Sequence, residues 1–189
     1  MVSYKEIKVF SEEVLKHRKT IDELKERIKR KDISQKEKEE ISKTIKNIEN
    51  KEIPKAYKKL MENLTELIDN TDLSNLDLQK FLEPNGYAEA IAVGIKFKRT
   101  QLRKFFAEVK AIQVQEKSKN EVNSLDIIKL IPKLAYSQAR GLIDDNFFKF
   151  MKILLDKIRK SKSKKDYEKF VDIFEAIVAY HYYYNPKED

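Results

Sequence analysis

The chain has 189 residues, of which 38% are charged and 41% hydrophobic, and its formal net charge is +8. It contains no cysteine and only three glycines, which excludes disulfides, thiol chemistry and cysteine-based zinc sites and leaves little material for hairpin turns. No apolar run approaches the roughly 20 residues of a membrane span, and the first residues lack the continuous apolar core of a signal peptide, so no membrane partner and a cytoplasmic location are expected.

Glu, Lys, Ile and Leu dominate the composition, which favours helix. Ile7, Phe10, Val14, His17, Ile21, Leu24 and Ile28 recur at spacings of three and four, which predicts one long helix over residues 4–31. Ser34 followed by Glu37 reads as a capping box that opens a second helix with the stripe Ile41, Ile45 and Ile48. Pro54 is expected to interrupt it at Ile53, after which a third helix carries Tyr57, Leu60, Leu64, Leu67 and Ile68.

Turn formers follow from residue 69, and Pro84-Asn85-Gly86 is a strong stop. A short helix is expected over residues 87–97. Thr100 is the expected cap of the next helix, whose apolar face is Leu102, Phe105, Phe106, Val109 and Ile112. A polar loop over residues 116–124 leads to a cap at Ser124 and a helix to Arg140, bent or restarted at Pro132 and closed by Gly141. Ile143, Phe147, Met151, Leu154, Leu155 and Ile158 form the stripe of the next helix. Tyr167, Phe170, Val171, Phe174, Ile177, Val178 and His181 form that of the last. No segment of useful length alternates at period two. The expected fold is all-α: a compact bundle of about five helices with an N-terminal antiparallel helical hairpin. Residues 1–68 form the hairpin extension and residues 69–189 a basic helical bundle.

The positive charge is concentrated. Residues 96–164 hold 18 Lys and Arg against 7 Asp and Glu, a surplus that favours a polyanionic partner. Helical spacing resolves part of it into two rows. Arg99, Arg103 and Lys110 sit at intervals of four and seven, opposite the apolar face of their helix; Lys129, Lys133, Tyr136 and Arg140 sit at four, three and four. If the two helices pack side by side, the rows form a band that follows a phosphate backbone. Arg forks onto phosphate oxygens there, and Tyr136 stacks or hydrogen-bonds.

A catalytic constellation is missing. The two histidines, His17 and His181, both lie on apolar stripes, where a packed polar residue is a simpler reading than a ligand or general base. Asp144 and Asp145 open a helix, where carboxylates favour the dipole, and that reading outweighs metal binding. Neither a glycine-rich phosphate loop nor a His-Glu metal pattern occurs, so no enzyme activity, no metal and no cofactor are expected. Base-reading motifs are absent as well, which leaves sequence-independent backbone contact.

Three runs carry a resemblance: TQLRKFFAEV from Thr100, IPKLAYSQARG from Ile131 and FVDIFEAIVAYH from Phe170. In this order and spacing the chain resembles, over about residues 75–184, the small helical subunit of type III-A CRISPR interference complexes, the Csm effector. The resemblance implies a non-catalytic antiviral subunit that lines up with copies of itself along the guide RNA–target RNA duplex. It also implies contacts with the repeated backbone subunits and the large polymerase-like subunit. By motif position, Arg103, Lys104, Lys133 and Arg140 are then RNA-facing, with Arg99, Lys110, Lys129 and Tyr136 in the same rows. Glu175, Ala179, Tyr180 and His181 are structural or interfacial. The hairpin of residues 1 to about 68 is longer than this family leads one to expect. The alternative is a coiled-coil scaffold that works through the hairpin, its basic faces merely solvated.

Overall fold

A computed structural model of the chain describes residues 2–116 and 118–185. Helix α1 (Tyr4–Ile28) begins at a capping box, in which Ser3 accepts from the Glu6 N–H and the Glu6 carboxylate accepts from the Ser3 N–H. It ends where its apolar stripe ends, three residues short of the predicted boundary. Helix α2 (Gln35–Asn47) has the expected Ser34–Glu37 box. Hydrogen bonds from the Ser34 backbone and hydroxyl hold the Glu37 carboxyl below its ordinary range, and the field of Arg27 adds to this.

The chain does not break at Pro54. It runs through one π-helical turn over Ile48–Glu52 straight into α3 (Ile53–Asn70), with Pro54 in the first turn. Proline lacks an N–H and its ring presses on the carbonyl four residues back. The wider π turn accommodates both at that point.

Helices α4 (Leu78–Leu82) and α5 (Tyr87–Gly94) follow, linked by Asn85 in the left-handed region. The segment predicted to stay helical to Phe97 leaves the helix at Gly94. Its backbone donors turn elsewhere: Lys96 N–H to Asp144 Oδ2 at 3.4 Å and Lys98 N–H to the Leu142 carbonyl at 3.4 Å. Helix α6 (Arg99–Gln115) starts one residue before the predicted Thr100 cap, with Lys98 at the N-cap and no side-chain cap. Helix α7 (Ser124–Ala139) is capped by Asn123, which accepts from the Leu125 N–H, while Ser124 donates instead to the Arg159 carbonyl. Helix α7 continues through Pro132. It closes on Gly141 (φ +65°), with Gly141 N–H to Gln138 O and Leu142 N–H to Ser137 O, the paired bonds of a glycine-terminated helix. Helices α8 (Asp145–Ser161) and α9 (Lys164–Tyr184) meet at a tight turn through Lys162.

The predicted loop of residues 116–124 contains Lys117, which lies outside the described residues. Its later part is pinned to that turn by Val122 N–H to Lys162 O at 2.9 Å. Among the described residues the only β pairing is an isolated bridge, Glu121 with Ser163, so the protein is all-α.

Helix α6 lies on α9 and α7 on α8, with α6 beside α7; α1, α3 and α5 close the other side. One buried cluster joins Ile7 and Val14 of α1, Leu60 and Leu64 of α3, Phe147 and Leu154 of α8 and Phe174 of α9. Phe174 is its aromatic centre, with the rings of Phe105, Phe106 and Phe170 at 5.6, 5.8 and 6.0 Å. A second, smaller cluster of Ile21, Ile41, Ile45, Ile48 and Ile53 lies between α1 and the run from α2 into α3. Helix α2 touches only α1 and the π turn among elements with substantial contact, so the distal part of the pair forms an arm.

Several tyrosines are locked into this core. Tyr167 donates to the Val109 carbonyl at 2.7 Å and Tyr87 to the Tyr4 carbonyl at 2.9 Å. Burial is the leading reason that the hydroxyls of Tyr57, Tyr167 and Tyr184 are pushed well above their ordinary value, and Tyr87 to about 12. Because the folded-state values are raised, this stabilisation is complete below the ordinary tyrosine pKa. It is lost as pH rises through the folded values. An absorbance titration should show these four still protonated roughly one pH unit above the ordinary value near 10, and ionising together with unfolding. Smooth titration of all nine tyrosines near pH 10 would contradict the packing described.

Candidate nucleic-acid interface

Because α6 rests on α9 and α7 on α8, the exposed faces of α6 and α7 share one side of the molecule. Seen along α6, that side has three strips. The strip nearest α9 carries Arg99, whose guanidinium lies 4.0 Å from the Tyr182 ring centre, and Lys110, which pairs with Glu175 at 3.2 Å. The crest carries Arg103 and Lys104, both exposed and without an ion pair among the described residues. The strip nearest α7 carries Glu108, which holds Lys133 of α7 at 2.6 Å.

Along α7, Lys129 pairs with Asp126 at 2.8 Å, and Arg140 donates to the Tyr136 hydroxyl at 3.1 Å with its guanidinium 5.4 Å from that ring. The two predicted rows therefore face the same side but do not merge. Arg99 and Lys110 lean toward α9, and Arg103 and Lys104 on the crest of α6 separate them from the row on α7. Three of the eight predicted residues, Lys110, Lys129 and Lys133, already have acidic partners, so the sequence surplus overstates the free charge here. Arg103, Lys104 and Arg140 present the least neutralised cations of the set.

At one end the strips draw together. The bond from Lys98 N–H to Leu142 O brings the start of α6 to the end of α7. An open cleft of ≈310 Å³ there is lined by Lys96, Lys98, Gly141, His181 and Asn185, with Arg140 next in the chain to Gly141. Lys96 and Lys98 escape a reading based on helical spacing because they lie in the extended connector between α5 and α6. Their only sequence signal is membership of the basic block.

The same side also displays apolar surface. Val114 is 70% exposed, Leu125 62%, Ile128 40% and Tyr136 62%. Leu125, Ile128, Pro132 and Tyr136 recur at spacings of three and four and form an exposed apolar stripe beside the basic row of α7.

The remaining candidates have structural surroundings. His181 is buried on α9, and His17 is half-buried with Nε2 4.0 Å from Glu13. Asp144 caps α8, accepting from the Asn146 and Phe147 N–H groups, and also accepts from the Tyr57 hydroxyl at 3.2 Å. No group of three or more His, Cys, Asp or Glu is placed to hold a metal, and no helix is long and apolar enough to cross a membrane, among the described residues.

A protein-family model described as Csm2 Type III-A matches residues 83–187. This span contains all eight predicted contact residues, Lys96, Lys98 and the whole of α6 to α9. No curated protein and no solved structure matches the chain.

Proposed function

The chain belongs to the Csm2 family of type III-A CRISPR effector subunits, and from that premise we propose that it is a non-catalytic, cytoplasmic RNA-binding subunit. It works through the α6–α7 side, within a complex that contains other Csm subunits. The observation that carries this reading is the exposed crest of Arg103 and Lys104, with Arg140 across from it and Lys96 and Lys98 at the shared end. Point cations on rigid helices neutralise phosphates without reading bases. Arg140 against Tyr136 and Arg99 against Tyr182 hold two guanidinium planes in fixed orientations, which reduces the rotamer freedom lost on contact with a phosphate.

The paired lysines have a secondary part. Lys110, Lys129 and Lys133 exchange an acidic side chain for a phosphate only by releasing the first, so each contributes less than Arg103. The apolar stripe of α7 suits neighbouring protein in the assembly, such as an adjacent copy, a backbone subunit or the large polymerase-like subunit. Guide and target RNA then run along the basic strips.

The test is target-RNA binding by the reconstituted effector carrying Arg103→Glu and Arg140→Glu. Two lost phosphate contacts should reduce the steepness of log K against log salt by about 2, with affinity falling across unrelated target sequences alike. Unchanged affinity and an unchanged slope would sink the reading.

A further inference from the structure

We propose that the tip of the α1–α2 arm is a second phosphate-backbone site for RNA, built by Arg27, Arg30, Lys31 and Lys36 and lying outside the Csm2-matched region. It rests on the reading of this chain as an RNA-contacting subunit, but on a different set of residues. The family match begins at residue 83, so the arm lies outside the matched region.

Charge points to the tip. Residues 25–38 hold seven Lys and Arg against three Asp and Glu, whereas residues 1–24 are balanced at five each and residues 39–53 have three against four. The surplus of the whole N-terminal region is thus gathered at one end. Along the shaft and base, acidic residues equal or outnumber basic ones, and Lys8–Glu12, Arg18–Asp22 and Lys25–Glu49 are ion-paired. Arg27, Arg30, Lys31 and Lys36 are exposed and have no ion pair among the described residues.

Helix-end electrostatics does not account for this cluster. Arg27 in the last turn of α1 suits the negative end of that helix, but Lys36 stands in the first turn of α2, where a cation opposes the dipole. The field of Arg27 reaches Glu37, so both helix ends contribute to one small surface. Glu26 holds Lys29 and Glu37 lies in the field of Arg27, but the remaining surplus of like charge repels itself, a cost that an external anion lowers.

Two further observations choose RNA over a protein partner. None of the exposed large hydrophobic residues lies between Val9 and Leu82, so the tip lacks the apolar anchor that a protein interface centres on. Phosphate contact requires none. The arm is also stiff, because the five-isoleucine cluster braces it along α2. Helix α2 alone carries the tip about 20 Å from the π turn at 1.5 Å per residue. A rigid basic tip at that distance reaches phosphates that the α6–α7 side does not cover.

The experiment uses the full chain in three forms: the tip variant R27Q/R30Q/K31Q/K36Q, the α6–α7 variant R103E/R140E, and both combined. Each is titrated with single-stranded poly(U) RNA over a range of salt, then assayed in the reconstituted complex. Glutamine keeps the helices, and the substituted side chains are exposed, so the melting temperature should stay unchanged. The tip variant should bind RNA about tenfold or more weakly at low salt, with a slope shallower by about 3; the combined variant should lose more than either parent. Unchanged RNA binding in the tip variant, with loss in R103E/R140E, overturns the tip site alone. No change in any variant overturns both readings. Weakened complex assembly with intact RNA binding also overturns the tip site, assigning the arm to an acidic protein surface.

Discussion

Gly94→Ala should destabilise the fold by about 3 kcal/mol, at the upper end of what overpacking costs. A single methyl usually helps a helix, because alanine restricts the unfolded chain more than glycine does. Here a Cβ would sit 2.2 Å from Tyr57 Cδ2 and 2.4 Å from Cγ. The Tyr57 ring is buried at 4% exposure and its hydroxyl is held by Asp144, so it has nowhere to turn. At roughly 2–4 °C per kcal/mol for a chain of this size, the melting temperature falls by about 6–12 °C. The control is Gly94→Ala in a Tyr57→Ala background, where the added methyl should cost almost nothing. An equal loss in both backgrounds, or no loss at all, would refute the close approach.

Asp144→Ala is the second large effect, also about 3 kcal/mol. One part is the lost cap of α8, typically about 1 kcal/mol. The larger part is the Tyr57 hydroxyl, left buried without an acceptor. Burial first, and then the adjacent carboxylate, push that hydroxyl well above its ordinary range, so it remains a donor across the working pH range. Asp144→Asn retains an acceptor for both the cap and Tyr57 and should recover most of the loss. In a Tyr57→Phe background, Asp144→Ala should cost only the cap, as read from chemical-denaturation midpoints. The same cost in both backgrounds would show that the two groups are not coupled.

These residues mark the limit of what pattern reading reaches. The stripe from Ile7 to Ile21, the Ser34–Glu37 box, the Gly141 terminator and the last two helices were legible because each is a local rule acting within a few residues. Thr100 and Ser124 misled for a related reason. Both are good caps by type, yet Asn123 stood one residue earlier with the same chemistry, and the segment before α6 gave its backbone donors to Asp144 and Leu142. Pro54 misled because a proline breaks a helix only when no wider turn is on hand to absorb it.

The basic site was legible in part. Spacing placed Arg99, Arg103, Lys110 and the α7 row on helix faces, and these helices do share a side. It gave no means of seeing that Glu108 and Glu175 occupy Lys133 and Lys110, since these pairings join different helices, whereas Asp126 and Lys129 are only three residues apart. Lys96 and Lys98 carry no period at all, because they sit in an extended connector.

The amino-acid order by itself determined an all-α chain, a buried stripe for most of its helices, a basic middle third and, through three runs of residues, the family. Each of these depends on neighbours three or four residues apart, or on composition alone. The tertiary structure decided which cations remain free, which aspartate holds a buried tyrosine, why residue 94 has no room for a side chain, and that the arm's charge gathers at a braced tip. Those properties depend largely on residues 24 to 87 positions apart in the chain, which long-range packing brings within a few ångströms.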